Sequence, residues 1–114
     1  MYVEGFITAV PKNRKQEYFD LAEKMVPLFK KYGATTVRDC WQDEVPHGKV
    51  TDFYKAVQAT EDESIVFSYI EYPSKEACEE GMKQMEQDPE MKELGESMPF
   101  DGKRMIFGGF ESIQ

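Results

Sequence analysis

Two hydrophobic patterns alternate along the chain. The strand pattern, with β-branched and aromatic residues in short runs, occurs in four segments: 1–10, 34–44, 64–72 and 103–113. The helix pattern, with apolar residues at spacings of three and four, occurs in two segments: 12–32 and 75–87. These six segments follow one another in the order β-α-β-β-α-β.

The ends of the two helices carry recognisable signals. Asn13 is the predicted N-cap of the first helix, with Gln16 in capping-box position, and Ser74 is the predicted N-cap of the second. Gly33 follows the first helix at the position where left-handed backbone is common. Pro27 removes a backbone donor inside that helix, so we expect a kink or a break there.

The connecting segments contain shorter elements. Residues 45–52 are predicted as a loop, and 53–59 as a short extra strand. Asp88 and Pro89 begin a further short helix through Leu94, and a loop covers 95–102. The whole chain, residues 1–114, is therefore predicted to be one α+β domain. Its arrangement is a ferredoxin-like split βαβ with an extra short strand, an antiparallel sheet and helices on one face.

The strands are apolar on both faces. In the third strand Ile65 and Phe67 alternate with Val66 and Ile70, whereas two helices can cover only one face. A Phe or Ile left in water forfeits about 1.5–3 kcal/mol of burial. We therefore predict a homodimer in which two sheets pack face to face. The alternative is that segments 53–59 and 88–102 fold back over the open face.

Composition limits the classes of partner. The 114 residues carry a net charge of −8, which disfavours nucleic acid and anionic membranes as partners. The one basic cluster, Lys12, Arg14 and Lys15, is interpreted as a solvated helix start. No basic segment followed by an apolar one opens the chain, so a cytoplasmic protein is predicted.

Metal and cofactor signals are weak. Cys40 and Cys78 lack metal-ligand spacing and are predicted to be buried reduced thiols. His47 is the only histidine. It could ligate haem or act as a base, but its Pro46 and Gly48 neighbours favour a solvated turn histidine. We expect no metal and no cofactor.

Three carboxylates are candidates for a shared site. The predicted topology places Glu4 near the start of a central strand, beside the ends of two antiparallel neighbours that carry Glu71 and Glu111. Carboxylates that meet can share a proton or hold a hard cation. The alternative is that they point to different faces or into water, because strand register is not fixed by the sequence.

The turn at 99–104 is a second candidate. Asp101 is expected to accept a bond from the backbone two residues on, and Gly102 to be free to take positive φ. Arg104 either serves an anionic ligand in the interior or is tied to an acid of the same chain.

Several runs resemble the YbaA-like family of small bacterial proteins of unknown function. They are MYVEGF at the start, YGA at 32–34, VFSYIEYPS at 66–74 and, most distinctively, MPFDGKRMIFGGF at 98–110. The resemblance implies a dimeric alpha–beta barrel, a superfamily that also holds antibiotic-biosynthesis monooxygenases, muconolactone isomerases and haem-degrading enzymes. It implies no particular reaction.

In cofactorless monooxygenases of that fold, Trp, Tyr and Arg near an apolar pocket handle aromatic substrates. Arg38, which shares a strand face with Cys40, and Trp41, which shares one with Asp39, are the matching residue types here. The alternative is that these aromatic residues are core. Two functions follow as hypotheses: a binding domain without catalysis, or a cofactor-independent enzyme of monooxygenase or isomerase type. The enzyme predicts an apolar pocket of about 300 Å³ or more with convergent polar groups.

Overall fold

A computed structural model describes residues 1–114. The elements in chain order are β1 (Tyr2–Pro11), α1 (Lys15–Lys31), β2 (Thr36–Trp41), α2 (Phe53–Ala56), β3 (Glu63–Tyr72), α3 (Lys75–Gln87), α4 (Pro89–Gly95) and β4 (Ile106–Glu111). A single 3₁₀ turn, Lys12–Arg14, precedes α1.

The four strands form one antiparallel sheet in the order β2-β3-β1-β4. In the centre of β1, Gly5 pairs with Tyr69 of β3 on one side and with Gly108 of β4 on the other. The predicted ferredoxin-like α+β fold is confirmed. The second and fourth strands are shorter than predicted, and the sheet contains no fifth strand.

The sheet has two unlike faces. Successive side chains of a strand point to opposite faces, so Thr8, Val10 and Ile70 lie on the face that we call the helix face, beneath α1 and α3. The main core is there and consists of Leu28, Phe29, Ala34, Ile70, Tyr72, Cys78 and Met85. The other face, which we call the open face, carries Val3, Ile7, Phe67, Tyr69, Ile106 and Phe110.

The segment 53–59 is not a strand. Asp52 caps α2 by accepting a hydrogen bond from the Lys55 backbone amide at 2.7 Å, and this side-chain bond favours a helical turn over the extended form. Val57, which follows the helix, is 1% exposed and packs against Ala9 and Ile65 on the open face. The segment therefore covers one end of that face and leaves the rest bare.

The helix ends confirm two of the predicted signals, Ser74 and Gly33. The Ser74 hydroxyl accepts from the Ala77 amide at 3.1 Å, and Gly33 has φ of +109°. Asn13 is not an N-cap, because the 3₁₀ turn occupies that position and α1 begins after Arg14 with no side-chain cap. α1 continues through Pro27 without a break.

Candidate functional site

A cavity of about 230 Å³ lies between α1 and the helix face of the sheet. Thirteen of its 17 lining residues are hydrophobic. Five are methionines, whose flexible thioether side chains adapt to irregular shapes: Met25, Met82, Met91, Met98 and Met105. The sheet–helix interior is thus not completely filled by side chains.

One end of the cavity is polar. Ser68 Oγ donates to Asp39 Oδ1 at 2.7 Å, and the Tyr18 hydroxyl donates to the same oxygen at 3.4 Å. Tyr18 and Ser68 are buried, whereas Asp39 stands exposed on the edge strand β2. Burial and the Asp39 carboxylate both raise the pKa of Tyr18, so its hydroxyl stays protonated and acts as a donor.

The cavity continues outward into a surface groove between α1 and β2. The two share Tyr18, Ala22, Val37, Arg38 and Asp39, so they form one cleft.

Trp41 lies in the outer part of this cleft. Its indole packs edge-on against Phe19 with ring centroids 5.5 Å apart, and Lys15 Nζ lies 5.2 Å from its ring. Arg38 contributes to both parts of the cleft, although its register with Tyr69 places it on the opposite strand face from Asp39. The parity that was predicted for these residues is confirmed by the register of β2 and β3.

The loop between α4 and β4 closes the other side of the cavity. Met98, Phe100 and Met105 line the space, and Pro99 between them is fully buried. The Phe100 ring lies 5.9 Å from the Tyr18 ring. The position of this loop therefore sets the volume of the cavity.

Arg104 anchors that loop to the body of the domain. Its guanidinium bonds both carboxylate oxygens of Glu63, at 2.6 and 2.9 Å, and donates to Asp101 at 3.0 Å and to the Gln58 carbonyl at 2.8 Å. The bonds from Arg104 lower the pKa of Glu63 to about 2. Arg104 is therefore tied to acids of its own chain, the second of the predicted alternatives.

The turn before Arg104 is partly as predicted. Asp101 Oδ1 accepts from the Lys103 amide at 3.0 Å, as expected. Gly102 does not take positive φ, and Gly33 is the one glycine of the chain that does. The Arg104 amide bonds to the Asp101 carbonyl at 3.3 Å, and such a turn forms with right-handed backbone.

The three predicted carboxylates do not form a cluster. Glu4 pairs with Ile70 and lies on the helix face, whereas Glu71 pairs with Val3 and lies on the open face. Glu111 is exposed, in register with Tyr2. No group of three or more His, Cys, Asp and Glu side chains is placed to hold a metal ion. Register, which the sequence left open, therefore separates Glu71 from Glu4 and Glu111.

The remaining candidate groups lie apart from the cleft. The His47 imidazole stacks on Tyr54 with ring centroids 4.2 Å apart, in the exposed loop where a solvated histidine was predicted. Cys78 is buried and its Sγ lies 3.6 Å from Glu4 Oε1. Cys40 is exposed on the open face, contrary to the predicted burial, because nothing in a single chain covers β2 there.

Sequence reasoning missed the three polar groups of the cleft. Ser68 interrupts the run of apolar residues that point inward from β3, and Asp39 has the same parity as Val37 and Trp41. A polar residue on an inward parity is the signal that could have found both. Tyr18 looked like a member of the apolar stripe of α1, and only its contact with Asp39 distinguishes it.

These features define an α+β ferredoxin-like domain with an interior cleft. The chain belongs to the DUF1428 family of proteins of unknown function, whose model matches residues 1–102. It is 59% identical over 112 residues to the uncharacterized protein YbaA of Escherichia coli strain K12, an alignment that covers 98% of this chain and 96% of that protein. The resemblance seen in the sequence is confirmed.

Solved structures support the fold. An uncharacterized NIPSNAP domain protein from Burkholderia xenovorans superposes with a TM-score of 0.66 at 13% identity, covering 98% of this chain and 94% of that one. A dimeric ferredoxin-like protein of unknown function from Jannaschia sp. CCS1 superposes with a TM-score of 0.58 at 12% identity, covering 98% of this chain and all of the other. At such identities the likeness concerns the fold alone. No helix is both long and apolar enough to span a bilayer.

Proposed function

We propose that this protein is a homodimeric domain that binds a small, mostly apolar molecule in the cleft between α1 and β2. The cavity itself carries the proposal, because a space of about 230 Å³ with apolar walls and one polar end has the composition of a ligand site. Well-packed interiors contain few voids larger than a water molecule.

The volume restricts the ligand. A dry apolar cavity of about 150 Å³ takes up benzene, and drug-sized ligands fill roughly 300–1,000 Å³. At about 230 Å³ the inner cavity suits a molecule somewhat larger than one aromatic ring. The outer groove, which Trp41 and Arg38 line, leaves room for a short polar extension.

The open face supports the homodimer. Phe67, Ile106 and Phe110 are 46%, 43% and 63% exposed there in a single chain. Covering them with a second sheet removes a continuous apolar surface from water. A protein of the same fold is described as dimeric. We also place the protein in the cytoplasm, since both cysteines are free thiols.

A cofactor-independent enzyme is the second candidate, because a carboxylate meets two hydroxyl groups at the end of the cavity. Asp39 Oδ2 could accept a proton from a bound substrate while Tyr18 and Ser68 hold the carboxyl group in place through Oδ1. The cavity is smaller than the volume that we expect of an enzyme pocket. Binding without catalysis therefore stands first.

A ligand screen tests the proposal. Small aromatic compounds at millimolar concentration should raise the melting temperature and change the fluorescence of Trp41, the single tryptophan, which lines the outer groove. Ala22→Leu should abolish both responses, because Ala22 lines the inner and outer parts of the cleft.

Val26→Leu is the matched control, since Val26 lines the outer groove alone. The proposal fails if no compound produces either response in the unsubstituted protein. Turnover of a compound that binds would favour the enzyme.

A further inference from the structure

The polar end of the cleft offers a hydrogen-bond acceptor. The side chain of Asp39 accepts from Ser68 and from Tyr18, and both bonds end on Oδ1. Oδ2 accepts no hydrogen bond from the rest of the chain. An ionised carboxylate has no proton to donate, so Oδ2 can only accept a hydrogen bond from a donor group of a ligand.

The donors around Asp39 are already engaged. The Ser68 and Tyr18 hydroxyl protons both point to Asp39, and each hydroxyl has one proton. An anionic head group placed beside them would meet the Asp39 charge without a free donor from either. The negative charge of Asp39 would therefore repel an anionic head group at this position.

The lining of the outer groove carries charges of both signs, with two carboxylates, Glu23 and Asp39, against one guanidinium, Arg38. Arg38 also lines both parts of the cleft, although it belongs to the opposite strand face from Asp39 by register, and Lys15 lies over the rings of Phe19 and Trp41. The net charge of −8 adds a field that attracts cations.

We propose that the ligand is a small apolar molecule with an amine or hydroxyl group at one end, which donates to Asp39 Oδ2 while the apolar body fills the methionine-lined cavity. This inference rests on the proposed binding function and specifies its ligand class. The site discriminates against carboxylates of the same size. Asp39 sets that specificity, and the cavity provides the contact with the apolar body.

Four compounds of similar size test the inference: phenethylamine, 2-phenylethanol, propylbenzene and 3-phenylpropionate. Titration with Trp41 fluorescence and calorimetry should show the amine and the alcohol binding more tightly than propylbenzene, and 3-phenylpropionate binding most weakly. Asp39→Asn should weaken phenethylamine about tenfold, the effect of losing a charged hydrogen bond, and leave propylbenzene unchanged.

Asp43→Asn is the matched control, because it removes one negative charge from the segment after β2 and lines a different groove. It should leave all four affinities unchanged. If propylbenzene binds but the amine and alcohol bind no better, or if Asp39→Asn weakens all compounds equally, the ligand class is wrong and the binding function stands. Tighter binding of 3-phenylpropionate would also overturn the class. If none of the four binds, the binding function fails and the inference fails with it.

Discussion

Both faces of the sheet carry large apolar side chains, and they differ in what covers them. The helix face is covered by α1, α3 and the loop that Arg104 anchors, except at its β4 edge, and Tyr72 and Val10 on it are fully buried. The open face is covered only at one end, by Val57 and its neighbours. Hydrophobic alternation therefore predicts which residues are stabilised by burial. It does not predict which helix, loop or partner chain covers them.

Two phenylalanines of β4 show the difference directly. Phe110 and Phe107 are 63% and 69% exposed, so exposure alone does not distinguish them. Phe110 lies on the open face, with its ring over Gly5 and Gly108, where a Cβ on either glycine would be 3.6 Å from it. Phe107 lies on the helix face and stacks on Phe6 with centroids 6.3 Å apart. Of these two phenylalanines, only Phe110 belongs to the open face that we assign to the dimer interface.

Phe110→Asp should therefore break the assembly. The substitution occurs twice at a two-fold interface, so a central contact worth about 2 kcal/mol per copy gives about 4 kcal/mol, or a thousandfold weaker dimer. Sedimentation equilibrium at micromolar concentration should show a monomer.

Phe107→Asp is the matched control on the same strand and should remain dimeric. A dimer that tolerates Phe110→Asp but dissociates with Phe107→Asp would place the interface on the wrong face. A monomeric unsubstituted protein would remove the dimer altogether.

A change on the helix face should affect folding instead of assembly. A Cβ at Gly81 of α3 would lie 2.4 Å from the Tyr32 carbonyl oxygen and 3.2 Å from the Tyr72 ring. Because a backbone atom must move, Gly81→Ala should cost about 3 kcal/mol of overpacking, against about 1 kcal/mol that alanine gains in a helix. Urea unfolding at fixed protein concentration should show a net loss of about 2 kcal/mol.

Gly95→Ala is the comparison, since nothing lies within 4 Å of its added Cβ. It should leave the free energy of unfolding unchanged or increase it slightly. Equal losses in both variants would mean that α3 does not approach the end of α1 as closely as described.

The Arg104 anchor should give a pH-dependent contribution. The pKa of Glu63 is lowered from 4.5 to about 2, so its charged pair stabilises the fold fully above pH 4.5 and loses that effect as pH falls toward 2. Glu63→Gln should reduce the free energy of unfolding at pH 7 by about 1–2 kcal/mol, after allowance for solvent screening. The difference from the unsubstituted protein should shrink over that pH interval.

Asp101→Asn is the control for this pair, because Asp101 is exposed and its side chain accepts only one bond from the Arg104 guanidinium. It should have a smaller effect at pH 7. A Glu63→Gln loss that stays constant from pH 7 to pH 2 would show that the stabilisation does not come from the ionised pair.

Much of the fold was predictable because local signals agree with global packing. The alternation of β3, the Ser74 cap and Gly33 each decide an element on their own. The segment 53–59 was mispredicted as a strand because Asp52 was not considered as an N-cap, and the bond that its side chain accepts from the Lys55 amide favours a helical turn.

The candidate site was less predictable, because it depends on register and side-chain direction. Glu4 and Glu71 are separated by a one-residue offset that sends them to opposite faces. Asp39 and Tyr18 meet only when α1 crosses β2, a contact 21 residues apart in sequence. A fixed acidic partner was one of the two alternatives predicted for Arg104, but the identity of that partner, Glu63, depends on the three-dimensional fold.

The reactivity of the two cysteines tests the difference between the two faces without any substitution. Cys78 lies on the helix face, where burial and the Glu4 carboxylate raise its pKa to about 11, so its thiolate fraction at pH 8 is about a hundredfold below that of an ordinary thiol. Cys40 lies exposed on the open face of a single chain, in register with Phe67.

Iodoacetamide should therefore modify Cys40 before Cys78, and peptide mass spectrometry measures the two rates. The rate of Cys40 modification should fall several-fold at protein concentrations at which the dimer forms. In the Phe110→Asp variant the rate should stay as fast as in the dilute protein. A Cys40 rate that does not depend on concentration, in a protein that sediments as a dimer, would show that the second copy covers a different surface.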